Sequence, residues 1–471
     1  MVFSSAIFLL YFLPVFLLVY FALPKTLKNW WILAASIAFY AWGEPKFLFI
    51  LMGSTVIDYF LVRYMHSIVD TRKKRRVLLV SILMNVGLLA FFKYANFFMG
   101  NVNGGLEAVG SEAISWKAIA LPVGISFYTF QTLTYSIDVY RGVNPPLKKL
   151  HLYLLYIMSF PQMIAGPIVR FGNIASQLVD RPDSLDDRLF GFYRFCLGLA
   201  KKVLIANVLG ELATQYIDMP MGELTFTGAW VGIIAFTFQI YFDFAGYSDM
   251  AIGLGRMMGF KFPENFNNPY NSKNITEFWQ RWHITLGRWM KDYLYIPLGG
   301  NRGSNRRLYI NLWIVFLISG LWHGASWNFV IWGAFHGLFL VLDRVFLKKL
   351  LDRAGALPAT IITFFITVIG WCFFAIEDVE LSFQYLHKMF SIDFSTGIIL
   401  NMEESATLIL AGILSFLCLF SFGRKLQTIL YAERLGFARS IGITLVAMLL
   451  FGLSLSYITS SEFNPFIYYR F

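Results

Sequence analysis

The sequence predicts an all-α, polytopic membrane protein of about eleven or twelve transmembrane helices, with re-entrant or interfacial helices added. Three observations predict it. Only 14% of the 471 residues are charged, against roughly 25% in an ordinary soluble domain. Hydrophobic residues make up 57% and aromatic residues 18%, a composition that a bilayer solvates and water does not. Lys and Arg gather in short clusters between apolar runs, which argues against a nucleic-acid binder. The net charge of +11 is therefore a question of topology first. Disorder, collagen and coiled coil are excluded by the same figures.

A crossing needs about 20 apolar residues. Such runs lie near 5–23, 29–43, 46–65, 77–95, 117–138, 151–169, 191–213, 226–255, 309–342, 358–376, 404–422 and 440–458. The first starts at Val2 without a basic n-region or a small-residue cleavage site, so a retained span is expected rather than a signal peptide. Pro161, Gly166 and Pro167 interrupt one middle run, and Lys201 and Lys202 the next. Re-entrant or interfacial helices buried in protein are expected there. The whole chain, 1–471, reads as one membrane domain. Within it, 1–255 holds N-terminal helices and re-entrant segments, 256–345 a core with both histidine motifs, where any catalysis is expected, and 346–471 the last spans and an external aromatic tail.

Short basic loops set orientation. Lys25 and Lys28 fall on the side of Arg72, Lys73, Lys74, Arg75 and Arg76, two spans away. Arg344, Lys348, Lys349 and Arg353 likewise share a side with Arg424, Lys425, Arg434 and Arg439. The loop between those clusters carries Glu377, Asp378, Glu380, Asp393, Glu403 and Glu404. The basic side is expected to be cytoplasmic and both termini external.

Polar residues inside apolar segments carry the chemistry. The densest polar stretch, Phe262 to Arg307, includes Trp279, Trp282 and Trp289, whose spacing offers one aromatic helix face. Arg281, Arg288 and Lys291 in the same stretch are either snorkelling cations of an interfacial helix or a docking site for an anionic acyl donor. The second locus centres on His323, between Gly320 and Gly324, in a long apolar run. A neutral imidazole there can accept a hydroxyl proton, although packing alone also explains a lone buried histidine. His336 is a weaker candidate, and His66, His151 and His387 read as span-end or loop residues. Asp243 and Asp249 are expected to pair with basic residues. Cys196, Cys372 and Cys418 have no paired spacing, which points to buried hydrophobes rather than a disulfide or metal knuckle. No metal-ligand set, GxSxG elbow or phosphate-binding loop appears in the sequence.

Phe278 to His283, Tyr293 to Gly300 and Ser319 to Gly324 resemble the signature regions of the membrane-bound O-acyltransferases. Met1 to Ser5 and Leu121 to Arg141 are similar to the bacterial polysaccharide branch of that family, in which alginate is O-acetylated. The resemblance spans nearly the whole chain. It implies a ring of helices around a thinned centre, where a cytoplasmic donor funnel and an external acceptor funnel meet. It also implies that His323 is the catalytic base and His283 a second, supporting residue that holds the donor or polarises its carbonyl. The donor would be acetyl-CoA or an acyl-carrier thioester, with no permanently bound cofactor, and a periplasmic O-acetyltransferase-type partner would finish transfer to an exopolysaccharide. Peptidoglycan or cellulose is the alternative acceptor, and a transporter or a non-enzymatic export scaffold the alternative class. The final Pro465 to Phe471 segment resembles the C-terminal motif of the peptide that accompanies the related D-alanyl transferase of lipoteichoic acid. Tyr468 is accordingly a candidate acyl relay, the alternative being an aromatic interfacial anchor.

Overall fold

A computed structural model describes residues 2–181, 184–391, 400–432 and 436–460, with the side chains of 437–439 left aside. The described residues are mostly helical, with no strand among them. Seven helices there are long and apolar enough to cross a membrane: Pro45–Ser67, Thr71–Ala108, Phe226–Met257, Trp327–Ala354, Ala356–Ala375, Met402–Leu419 and Ser440–Ser460. The other apolar runs fold as helices that are shorter, interrupted or less apolar, Lys25–Gly43 being of the last kind. The run at 151–169 breaks into Leu150–Met158 and Phe160–Met163, and its residues from Tyr153 to Val169 are buried. This is the protein-enclosed irregular backbone expected of a re-entrant segment.

Two elements differ from the sequence reading. Thr71–Ala108 extends at both ends beyond the apolar run read near 77–95. Its 38 residues span about 57 Å at 1.5 Å per residue, well beyond a hydrocarbon core of about 30 Å. Five cations in its first turns, Arg72 to Arg76, oppose the helix dipole; Asp70 offsets this by accepting from the backbone N–H groups of Arg72 and Lys73. The second difference concerns Trp279, Trp282 and Trp289, which do not share a helix. Ile275–Arg281 stops at an extended Trp282, and Ile284–Met290 starts after His283 at φ 44. The expected continuous aromatic face is broken there because Asn265 and Asn267 bond to the backbone on either side of the break.

The chain divides into two compact units, 1–183 with 259–263, and 184–258 with 264–471. Inside the first, Asp58 is wholly buried and accepts hydrogen bonds from Ser81, Asn85, Ser136 and Tyr153. These donors solvate a carboxylate that burial would otherwise penalise. Inside the second, Leu185–Ala200 crosses Phe226–Met257 in backbone contact. A Cβ on Gly198 would stand 2.5 Å from the Gly246 carbonyl oxygen, and one on Gly253 2.5 Å from that of Gly191. The crossing brings Asp243 to Lys202 at 2.8 Å and Asp249 to Lys201 and Arg194, both at 2.6 Å. The pairing expected of both carboxylates is therefore present, and the two lysines that interrupt an apolar run belong to it.

Candidate active site

His323 is the last residue of the Asn305–His323 helix, 1% exposed, with Gly324 extended behind it. Two close approaches fix that position. A Cβ on Gly320 would run into the carbonyl oxygen of Phe329, and one on Gly324 into the Phe329 ring. The two glycines thus admit a neighbouring helix. The imidazole Nδ1 lies 2.7 Å from the Ser319 carbonyl oxygen. A carbonyl only accepts, so Nδ1 carries the proton and Nε2 the lone pair. The helix C-terminus favours positive charge on this ring once Nε2 takes a proton.

Aromatic rings enclose the base. Trp322 and Trp332 each stand 4.9 Å from the His323 ring, and Phe374 5.7 Å. Trp371 stacks 6.0 Å from Trp332. The indole nitrogens of Trp332 and Trp371 are buried and have no acceptor among the described residues. His336 belongs to the same block, 5.1 Å from Trp332, with Nδ1 accepting from the Trp279 indole at 3.4 Å.

His283 reaches this block from the break described above. Its ring packs 4.7 Å from Phe244 and 6.2 Å from Trp322, the residue that also contacts His323. A non-glycine residue at positive φ is strained by about 1–2 kcal/mol, and Asn265 holds it there. The Asn265 backbone carbonyl accepts from Ile284 N at 2.9 Å. Its Oδ1 accepts from the Thr285 hydroxyl at 2.8 Å and Thr285 N at 3.3 Å, and its Nδ2 donates to Ser248 at 3.1 Å. His283 Nδ1 stands 3.1 Å from the same Oδ1. The Thr285 N–H identifies that atom as the acceptor, so Nδ1 of His283 is also the protonated nitrogen. Burial pushes the His283 imidazole well below its ordinary range, and charge on His323 pushes it the same way. His283 is thus held neutral with its lone pair on Nε2, a geometry that receives a hydrogen bond rather than polarising a carbonyl.

The three cations expected to bind the donor separate. Arg281 forks onto Glu277 at 2.8 Å and 3.0 Å and donates to the Asn267 carbonyl. Lys291 is exposed where the helix loosens into the π-helical Lys291–Tyr295 turn. Arg288 alone of the three lines a cavity of about 930 Å³. Arg194, Lys201, Asp249 and Glu264 form its polar part, and leucines such as Leu410 and Leu414 its apolar part. Two lining residues connect it to His283: Phe266 stacks edge-on against Phe244 at 5.0 Å, the ring that also packs on His283, and Ile284 follows His283 in the chain. Tyr468 lies outside the described residues.

The structure therefore joins His323 and His283 in one aromatic block and adds three residues that the sequence did not single out. Asn265 stood unremarked in a polar stretch, and its neighbour in space is 18 positions away. Arg194 carried no signal beyond one charge in an apolar helix. Trp332 was one aromatic among 86, the sum of 13 Trp, 24 Tyr and 49 Phe.

A family model described as the membrane-bound O-acyltransferase family matches residues 71–387, which include both histidines. A probable alginate O-acetylase of Pseudomonas aeruginosa is 44% identical over 392 residues, covering 83% of this chain and 75% of the relative. A peptidoglycan O-acetyltransferase of Helicobacter pylori is 38% identical over 434 residues, covering 83% and 80%. A teichoic acid D-alanyltransferase of Bacillus subtilis is 29% identical over 273 residues, covering 54% and 68%.

Proposed function

We propose, from the premise that this chain belongs to the membrane-bound O-acyltransferase family, that it moves an acetyl group from a cytosolic thioester to an external hydroxyl on an alginate-like exopolysaccharide. The chain is an acyltransferase and a multi-pass membrane protein. The single observation that carries the proposal is His323: a buried imidazole with its Nδ1 proton committed to Ser319 and its ring packed between Trp322 and Trp332. The alginate and peptidoglycan relatives support a polysaccharide as the acceptor. Peptidoglycan is the second reading, favoured by the Helicobacter relative.

In the proposed step the acceptor hydroxyl gives its proton to His323 Nε2 as its oxygen attacks the thioester carbonyl. The carbon–sulfur bond then breaks, a carbon–oxygen bond remains, and the proton passes to the departing thiolate. General-base assistance of this kind contributes about 10²–10⁴-fold. The Trp332 and Trp371 indole N–H groups, buried and without acceptors among the described residues, would stabilise the oxyanion. The anionic end of the donor would lie in the cavity lined by Arg194, Lys201 and Arg288, and its thioester end would have to pass Phe266 and Ile284 to reach His283 and His323. The basic clusters support a cytoplasmic face for that cavity, since Arg424 and Lys425 flank the lining residue Gln427. Inner-membrane residence, external termini and a periplasmic transferase partner complete the proposal.

Tyr468 is the proposed first acceptor, its phenol oxygen taking the acetyl group before a partner does. After incubation of the purified protein with isotopically labelled acetyl-CoA, mass spectrometry of the C-terminal peptide is expected to show one labelled acetyl on Tyr468. Tyr468→Phe is expected to remove both that label and polymer O-acetylation, since it keeps the ring and loses the hydroxyl. Full polymer acetylation by Tyr468→Phe would sink the relay and leave direct transfer. Absence of label transfer to any acceptor from acetyl-CoA or an acetylated carrier would sink the thioester reading.

A further inference from the structure

The donor cavity contains an arrangement of charge that neither the family nor its relatives' names assign. Arg194 is 3% exposed and lies between two carboxylates. Its Nε and one terminal nitrogen donate to Asp249 Oδ1 at 2.9 and 2.6 Å. Toward the cavity it forks onto Glu264, at 3.0 Å to Oε1 and 2.6 Å to Oε2. The two carboxylates differ in setting. Asp249 is 7% exposed and also held by Lys201 at 2.6 Å, whereas Glu264 is 54% exposed and pairs only with Arg194 among the described residues. Asp249 is therefore a permanent partner. Glu264 holds a solvated, labile contact, of a kind worth about 0–1 kcal/mol.

A bidentate fork is also how a guanidinium binds phosphate. With Glu264 in place, the cations Arg194, Lys201 and Arg288 face the carboxylates Asp249 and Glu264, a balance of +1. With Glu264 turned out to water the balance is +2. Tyr431 lines the same wall, 4.4 Å from the Arg194 guanidinium and within 3.2 Å of Lys201 Nζ, and keeps both cations in place while one carboxylate leaves.

We infer that Arg194 is the anion-binding residue for a phosphate of the thioester donor, and that Glu264 is an internal stand-in for that phosphate, displaced when the donor enters. The inference rests on the cavity being the donor site. Glu264 competes for the same fork, so donors with phosphate meet its competition and donors without phosphate do not. The residue after Glu264 is Asn265, which holds His283, so any disturbance of the catalytic groups by substitution at Glu264 affects both kinds of donor alike.

The test is the ratio of kcat/KM for acetyl-CoA to that for S-acetyl-pantetheine, which carries the same thioester arm and no phosphate. Both are measured on the same preparation, so a reduced folded fraction cancels. Glu264→Gln is expected to raise this preference about two- to fivefold, the size of one exposed ion-pair contact. Arg194→Gln is expected to lower it. A second readout needs no turnover. Cys418 lines the cavity, while Cys196 and Cys372 are buried, so maleimide labelling of Cys418 reports occupancy. Half-protection by CoA is expected at a two- to fivefold lower concentration in Glu264→Gln, with the protecting concentration of pantetheine unshifted. An unchanged or lower preference for acetyl-CoA, or equal shifts with both protecting molecules, would overturn the inference alone. Protection of Cys418 by neither molecule, with neither thioester turned over by the unaltered protein, would overturn the donor reading and this inference with it.

Discussion

His323→Ala is expected to lower polymer O-acetylation by about 10²–10⁴-fold, the range for loss of a general base, while the protein is still made and inserted. The expectation follows from local geometry. His323 closes a helix whose neighbours are set by Gly320 and Gly324, and its Nδ1 bonds to a carbonyl one turn back. Removing the ring leaves that carbonyl its backbone role and opens space among Trp322, Trp332 and Phe374. The measurement is acetyl content of the exported polymer by NMR, normalised to membrane-inserted protein by immunoblot. His323→Gln is the companion variant: it fills much of the space, can still donate to Ser319, and offers no basic nitrogen. Acetylation at the unaltered level by either variant would refute the role of His323 as the base.

Substitution of Asn265 is expected to have the next largest effect. Asn265→Leu removes the acceptor shared by Thr285 and His283 Nδ1 in a wholly buried position. Each orphaned donor is destabilising by about 1–3 kcal/mol. The strained backbone at His283 loses its restraint, and misplacement of about 1 Å at a reacting group can lower the rate about 10²-fold. Asn265→Asp separates position from charge. A carboxylate still accepts from Thr285 and His283, but it favours the imidazolium. Burial holds His283 below its ordinary range, and the new charge would raise it. The neutral form would then be lost at a higher pH on acidification, so the acid limb of kcat/KM is expected to move upward in pH, with activity recovered at the alkaline end. An acid limb that stays in place in Asn265→Asp would show that His283 is not required in its neutral form.

These two residues differ in how far the sequence revealed them. His323 stood out because a polar residue in a long apolar run has few reasons to be there, and its resemblance to a family signature then ranked it above His336. Asn265 had no such contrast, since it stands in a stretch of asparagines, prolines and charges. Its importance arises from a hydrogen bond to a residue 18 positions later, made possible by a left-handed backbone conformation at His283. Three cations looked equivalent as donor ligands; the fold turned Arg281 onto Glu277, left Lys291 exposed and placed Arg288 in the cavity beside Arg194.

Membrane residence, the presence of most long apolar helices and the class of chemistry were already determined by the order of residues, because apolar partitioning and helix formation depend on stretches of about 20 neighbours and a histidine's basicity belongs to the side chain itself. Where those runs break, which nitrogen of His283 carries its proton, and which arginines line the cavity were decided only in the folded chain. They depend on hydrogen bonds and close approaches beyond the reach of one helical turn: Asn265 as the acceptor for His283, Gly320 against Phe329, and Glu264 on Arg194. Such contacts follow from packing whole helices against one another, and no local pattern of residues encodes them.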